Sequence, residues 1–304
     1  MKSLRLGLVD LDTSHPGSFV PLIRAMGHEV TGVFDSGTIH PPGYAEVFAR
    51  EHHIEAACEV LEELIDRVDA VMIHSCNWDM HVKQAQPFIE AGKAVFIDKP
   101  LAGKVGDLQK MMDWAMQGAV ITGGSALRYC SEVVEWRNRN SGANDWLYGL
   151  TGCSVDEFNY GIHAYTMLHA LLGSGIEAVR DLGGTQQRQV ELTWQDGRKG
   201  IISIGKTEGY LPFYTTAVTQ NQVEHIRVDN SRLYQSLLDN VLPYLAGVAP
   251  APIPFGELVE VEMAAIAAKR SAEQGGALIR LQDIPHDYMG YDGTVFARYY
   301  KSLM

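Results

Sequence analysis

No apolar run in this sequence approaches the ~20 residues that a membrane-spanning helix needs, so a membrane span is not expected. The opening stretch, Met1-Lys2-Ser3-Leu4-Arg5-Leu6, leads straight into a strand pattern and lacks the apolar core of a signal peptide, which points to a cytoplasmic protein. The four cysteines, Cys58, Cys76, Cys130 and Cys153, fall at no paired metal-type spacing. They read as scattered reduced thiols rather than a disulfide or zinc framework. Basic side chains are also in deficit, 25 against 37 acidic ones, for a net charge of −12. Such a chain repels phosphate backbones and anionic bilayer surfaces, so neither nucleic acid nor membrane is an expected partner. There is no internal repeat and no low-complexity tract.

What remains is globular composition, with 46% hydrophobic and 20% charged residues over 304 positions, enough for two ordinary domains. In the first 122 residues short apolar runs alternate with amphipathic stretches. Strands are expected at Leu4–Val9, Glu29–Phe34, Ala70–Ile73, Ala94–Ile97 and from Val120. Helices are expected at Phe19–Met26, Tyr44–Glu51, Cys58–Asp66, His81–Ala91 and Asp107–Met116. Strand–helix alternation with short connections calls for a parallel sheet covered by helices on both faces. Ligands of such sheets bind at the carboxyl ends of the strands. Here those ends are residues 9–15, 34–35, 74–77 and 98–100.

Beyond residue 122 the pattern changes. Arg188–Trp194 and Gly200–Ile204 alternate polar and apolar residues around Asp196-Gly197, a strong hairpin signal. Phe213–Val218 and Val223–Val228 read as further strands, and Gly161–Leu172, Ser231–Leu245 and Phe255–Glu273 as helices. The fold class is therefore α/β: an N-terminal Rossmann-type parallel sheet over 1–122, then an α+β domain over 123–304 with a largely antiparallel, open-faced sheet. The open face is expected to carry apolar side chains such as Val190, Leu192 and Trp194, or their neighbours, and to serve homo-oligomer formation.

Three stretches carry a family resemblance. The first is Val68-Asp69-Ala70-Val71 with Asn77 and His81, followed by Ala91-Gly92-Lys93-Ala94-Val95. The second is Asp98-Lys99-Pro100-Leu101-Ala102, and the third Gly161-Ile162-His163 running to Leu171-Leu172-Gly173. In their order and spacing the chain resembles the glucose–fructose oxidoreductase and inositol dehydrogenase family, Gfo/Idh/MocA. Asp98-Lys99-Pro100 looks like that family's Glu-Lys-Pro motif with Asp for Glu. The resemblance implies hydride transfer between a nicotinamide cofactor and a carbinol carbon of a sugar- or cyclitol-like substrate. It implies a catalytic set of Lys99, His163 and Asn159, the last standing where relatives have an acid. It places Ser75, Asn77, His81 and Asp98 beside the cofactor, and Arg128 with Lys99, Asn159 and His163 beside the substrate.

The chemistry asks for such residues. Hydride leaves a carbinol carbon only as its hydroxyl proton is removed, so a base must stand within hydrogen-bond reach. His163 has a suitable ordinary pKa, and Lys99 can stabilise the developing alkoxide. Each residue also has a plainer reading: Lys99 as a surface lysine, His163 as a core histidine at a helix start, His81 as a helix cap, Arg128 as a domain-bridging ion pair.

The glycine fingerprint is missing. The three positions of G-x-G-x-x-G after the first strand hold Asp10, Asp12 and His15. A carboxylate ~4 Å from a phosphate charge costs on the order of 4 kcal/mol at an effective dielectric of ~20, while a helix N-terminus returns only ~0.3–1 kcal/mol. Either these side chains turn away or dinucleotide binding is weakened. Asp12, Thr13, Ser14 and His15 remain the candidate phosphate loop, with Pro16 suited to a first helical turn and Pro21 arguing for a later start near Ser18. Asp35, twenty positions after His15, stands where an acid contacts the adenosine ribose and would favour NAD. Two other readings stay open: a non-catalytic descendant that binds a small ligand or partner in the same cleft, and, ranked last, a metal site around Asp10, Asp12 and His15.

Overall fold

The computed structural model describes residues 3–140, 146–209 and 211–304. The chain forms two compact units, one made of residues 1–124, 238–255 and 292–304, the other of 125–237 and 256–291. The single cut at residue 122 drawn from the sequence thus differs from these units in two C-terminal stretches that group with the first.

The first unit follows the alternation in the sequence. Its elements are β1 (Arg5–Val9), α1 (His15–Ala25), β2 (Glu29–Phe34), α2 (Tyr44–Glu51), β3 (Ala56–Cys58), β4 (Ala70–Ile73), α3 (His81–Glu90), β5 (Ala94–Asp98), α4 (Val105–Met116) and β6 (Ile121–Gly124). All strands pair in parallel, in the order β3-β2-β1-β4-β5-β6. Burial explains the continuous apolar runs: every residue of β4 and of β5 is buried, as sheets covered on both faces require. The sheet order reverses at β1, and the loops after β2, β1 and β4 therefore lie side by side.

Two local expectations fail here. Cys58–Asp66 is not an α-helix; β3 ends at Cys58 and only a single 3-10 turn, Leu61–Leu64, follows. The stretch carries two glutamates in that turn and one apolar contact, Leu64, buried completely. The first helix does not wait for Ser18 either. It begins at His15 with Pro16 in its first turn, where the missing N–H costs nothing, and tolerates Pro21 inside.

The second unit is built on a seven-stranded sheet, β12-β11-β7-β10-β9-β8-β13. In chain order its elements are α5 (Ser131–Arg139), β7 (Trp146–Ser154), α6 (Ile162–Leu172), β8 (Ile176–Gly183), β9 (Arg188–Trp194), β10 (Lys199–Gly205), β11 (Tyr214–Thr219) and β12 (Val223–Arg227). Helix α7 (Leu233–Leu245) leads out of it, and α8 (Phe255–Glu273) and β13 (Ile279–Arg280) return. Only β7 and β10 pair in parallel; the other pairs are antiparallel. The Asp196-Gly197 hairpin forms as expected, with Gly197 at φ 86°. Helix α6 lies close against β7 and β10, because Gly149 and Gly200 face one another in register and a Cβ on either would meet Leu168, at 3.0 and 2.7 Å.

The open face is a correction. Val190, Leu192 and Trp194 are buried, at 1% exposure or less, on the covered side of the sheet. Period-2 alternation puts their neighbours Gln189, Glu191 and Thr193 on the other side, and those residues retain exposure. The last helix, α9 (Gly293–Lys301), belongs to the first unit.

Candidate functional site

The loop after β1 begins at Asp10, where a glycine would stand. Its φ of 57° keeps the left-handed turn that the fingerprint's first glycine supplies, a conformation that aspartate tolerates. The carboxylate faces inward. Oδ1 accepts from the Ser36 amide at 2.7 Å, and Oδ2 accepts from Ser75 Oγ at 2.6 Å and Gln84 Nε2 at 2.7 Å. Asp10 therefore staples the ends of β1, β2 and β4 together, and its charge is spent on the protein's own donors.

Asp12, at the second glycine position, is 1% exposed. Its Oδ2 accepts from the Cys76 amide at 2.8 Å, while Oδ1 is buried and makes no hydrogen bond to any described residue. Burial, reinforced by the charge of Asp10, raises its pKa to about 7. A carboxyl that holds its proton does not repel a phosphate, so the large repulsion expected from sequence applies only to the ionised form.

His15, at the third position, is the first residue of α1 and reaches across to β5: its Nδ1 lies 2.5 Å from Asp98 Oδ2. His74 Nδ1, from the end of β4, meets the same oxygen at 2.9 Å, and Asp98 Oδ1 accepts from the Lys99 amide at 2.8 Å. Burial alone would raise Asp98, but the charge and hydrogen bond of His15 and the contact with His74 hold it well below the usual carboxylate range. The three side chains offer ligand atoms within 4.8 Å of one another. As the side chains stand, the two histidines meet Asp98 Oδ2 and the Lys99 amide donates to Oδ1.

The other residues singled out in the sequence of this unit have the following surroundings. Asp35 ends β2 half-buried, with Oδ2 accepting from the Leu11 amide at 3.1 Å and Oδ1 from the Gly37 amide at 2.8 Å. Each oxygen keeps a lone pair for a further donor. Thr13 Oγ1 accepts from the His15 amide, and the Ser14 carbonyl, not its side chain, takes part in the first turn of α1. Asn77 accepts from the Asp79 amide as a cap of a short 3-10 turn. His81 is wholly buried, with Nδ1 at the Leu101 carbonyl and Nε2 at that of Ser75; both nitrogens serve the fold. Lys99 follows β5 directly, and its peptide to Pro100 is cis.

In the second unit, His163 stands in the first turn of α6, the only half-exposed residue of an otherwise buried helix. Its Nδ1 lies 2.6 Å from Ser125 Oγ, and Tyr160 and Phe213 pack edge-on against its ring. Ser125 also accepts from the Leu127 amide at 3.1 Å. Ser125 Oγ thus links the Leu127 amide to the His163 ring at Nδ1. Sequence reasoning missed Ser125; its one signal was a serine in cap position before Ala126-Leu127-Arg128-Tyr129.

Arg128 is 5% exposed, and its side chain meets not an acid across domains but His169, at 2.7 Å from Nη1. Its Nε and Nη2 are buried without a hydrogen-bond partner among the described residues, and burial pulls the guanidinium down to about 10. His169 in turn stands 3.2 Å from Glu260. Asn159 lies in the turn before α6, where Asp156 accepts from the Phe158 and Tyr160 amides.

Comparison with known proteins matches residues 18–123 to the profile described as the Gfo/Idh/MocA oxidoreductase family, NAD-binding Rossmann fold. Residues 18–123 thus resemble the nucleotide-binding domain of that family. A curated relative, 1,5-anhydro-D-fructose reductase of Ensifer adhaerens, is 31% identical over 121 residues, which are 39% of this chain and 35% of the relative. The match thus spans about a third of that relative's length. Among solved structures, a probable dehydrogenase from Thermotoga maritima superposes with a TM-score of 0.80 at 16% identity, over 92% of this chain and 100% of that one. Myo-inositol dehydrogenase from Lactobacillus casei, solved with NAD(H) and myo-inositol, gives 0.78 at 16% identity, over 95% and 99%. The likeness of fold to these structures therefore covers most of both units, while the three glycine positions after β1 hold Asp10, Asp12 and His15, each hydrogen-bonded within the protein.

Proposed function

We propose that this protein is an NAD-dependent oxidoreductase acting on a carbinol carbon of a sugar- or cyclitol-like substrate. The observation that carries the reading is Asp98-Lys99-Pro100 at the carboxyl end of β5, inside the stretch that matches the family, with the Lys99 backbone fixed by Asp98. The nicotinamide, when bound, supplies the hydride acceptor or donor. Asp35 would take the adenosine ribose through its remaining lone pairs and disfavour a 2′-phosphate. Neutral Asp12 and the amides of residues 12–14 would face the pyrophosphate.

In this reading Lys99 stabilises the alkoxide that forms as the C–H bond breaks. His163, held through Nδ1 by Ser125, takes the hydroxyl proton on Nε2. Asn159 hydrogen-bonds a substrate hydroxyl without exchanging a proton, and the buried Nε and Nη2 donors of Arg128 suit a polyol oxygen. Asn77 and Ser75 complete the cofactor side through the shape of the loop after β4. The four cysteines, all buried and unpaired, fit a reducing cytoplasmic setting; a homo-oligomer, which the polar residues Gln189, Glu191 and Thr193 on the uncovered sheet face do not by themselves favour, is tested by light scattering at micromolar concentration.

The test is an NADH titration followed by tryptophan fluorescence, with Asp35→Ala beside it. Saturable micromolar binding weakened by the substitution supports the reading; silence to millimolar NADH and NADPH removes it. A second reading, a non-catalytic descendant that binds a small ligand, is favoured by Asp12 and Asp10 at the glycine positions, and the silent outcome selects it.

A further inference from the structure

Helix α9 packs against the loops that follow β2 and β4. Its N-terminal Gly293 presses on the loop after β4 so closely that a Cβ would stand 2.6 Å from Asn77 Oδ1, 2.8 Å from the Asp79 amide and 2.9 Å from that of Trp78. One turn on, Ala297 is buried in a cluster with Ile39, from the loop after β2, and Cys76, from the loop after β4. Phe296 and Tyr300 pack on that cluster, with the Phe296 ring 5.0 Å from Trp78. At the far end Lys301 Nζ donates to the Thr38 carbonyl at 2.9 Å.

These contacts have one geometric meaning. Strand β1 lies between β2 and β4 in the sheet. A helix that touches both flanking loops must pass over the loop between them. Asp10, Leu11 and Asp12 are accordingly no more than 1% exposed. That loop and the end of β2 are where a Rossmann unit receives the ribose and pyrophosphate. The occupant is also chemically apt, because the Phe296 and Tyr300 rings packed against the cluster of Ile39, Cys76 and Ala297 offer the flat apolar faces that an adenine ring would offer.

We propose that α9 is an intramolecular competitor for the adenosine half of the cofactor crevice, so that docking of α9 and binding of an adenosine nucleotide exclude one another. The inference rests on the reading of this crevice as a nucleotide site. Its consequence is quantitative: a helix docked in nine molecules of ten lowers apparent affinity by roughly tenfold.

The experiment uses the full chain and ADP-ribose as the probe, with NADH in parallel. Ala297→Glu places a charge in the buried cluster, and Gly293→Val collides with the loop after β4; both should undock the helix. Calorimetry is expected to show at least roughly tenfold tighter ADP-ribose binding for both variants, with circular dichroism confirming that they fold. Tyr300→Ala, a milder change, should move the same way. In the unaltered protein, saturating ADP-ribose should speed hydrogen exchange at 293–301. Weaker or unchanged binding by folded variants, or exchange at 293–301 that slows on binding, overturns the proposal and makes α9 a wall of the pocket. NADH binding to the unaltered protein with α9 still protected overturns it alone. No binding of either probe by any folded variant overturns it together with the NAD reading.

Discussion

His15 Nδ1 and Asp98 Oδ2 stand 2.5 Å apart, joining the first residue of α1 to the last of β5 across 83 positions of sequence. With His74 on the same oxygen, Asp98 joins the start of α1 and the ends of β4 and β5 in one constellation. Its pKa lies below that of an unfolded aspartate, so this stabilisation is present above pH ~4 and is lost as pH falls further. Asp98→Asn is expected to cost about 3–5 kcal/mol at pH 7, as removal of one partner from a buried pair does. Urea melts should show the gap between variant and parent narrowing below pH 4.

Asp12 carries the opposite sign. Its folded pKa of about 7 exceeds that of the unfolded chain, so the folded state holds the extra proton and loses stability as pH rises from ~4 to ~7. Asp12→Asn keeps an acceptor for the Cys76 amide and removes the titration. It should raise the melting temperature at pH 8, less so at pH 5, and leave it nearly unchanged below pH ~4. The gain is bounded by proton linkage, which is worth roughly 1.4 kcal/mol for each tenfold difference in proton affinity between folded and unfolded chain.

His163→Ala is expected to lower kcat by about 10²–10⁴, the usual worth of a general base. Ser125→Ala should cost less and move the alkaline or acid limb of the kcat/KM profile, because it frees the Nδ1 proton and not the ring itself. An unchanged profile would reduce Ser125 to a cap of the turn at 126–129.

Cys76 sits under α9, where burial and then the charge of Asp12 push its thiol far above the ordinary value. All four cysteines are buried. A thiol reagent at pH 8 should find them silent in the folded protein and all of them reactive in urea. Ala297→Glu should release Cys76 selectively, a readout of α9 that needs no nucleotide.

Much of the frame was legible because burial and chemistry act locally there. Glu29–Phe34, Tyr44–Glu51, Ala70–Ile73, Arg188–Trp194 and Phe255–Glu273 coincide with their elements, since each is a run whose period fixes its state. β7 was not legible: Gly149, Thr151, Gly152 and Ser154 dilute its apolar character, and packing against Leu168 is what gives Gly149 a reason. Asp10 and Asp12 were legible as anomalies, but their direction was not. That depended on donors from Ser36, Ser75, Gln84 and Cys76, brought in by other elements of the unit. Helix α9 escaped notice for the same reason, since its buried side is two small residues, Gly293 and Ala297, which carry no hydrophobic signal.

The placement of residues 292–304 in the first unit also sets an order of events during synthesis. Strand β1 emerges from the ribosome well before α9, and the helix that covers its loop is made after the whole of the second unit. For that interval the loop after β1, with Asp12, and the Cys76 thiol lack the cover that α9 gives them in the finished protein.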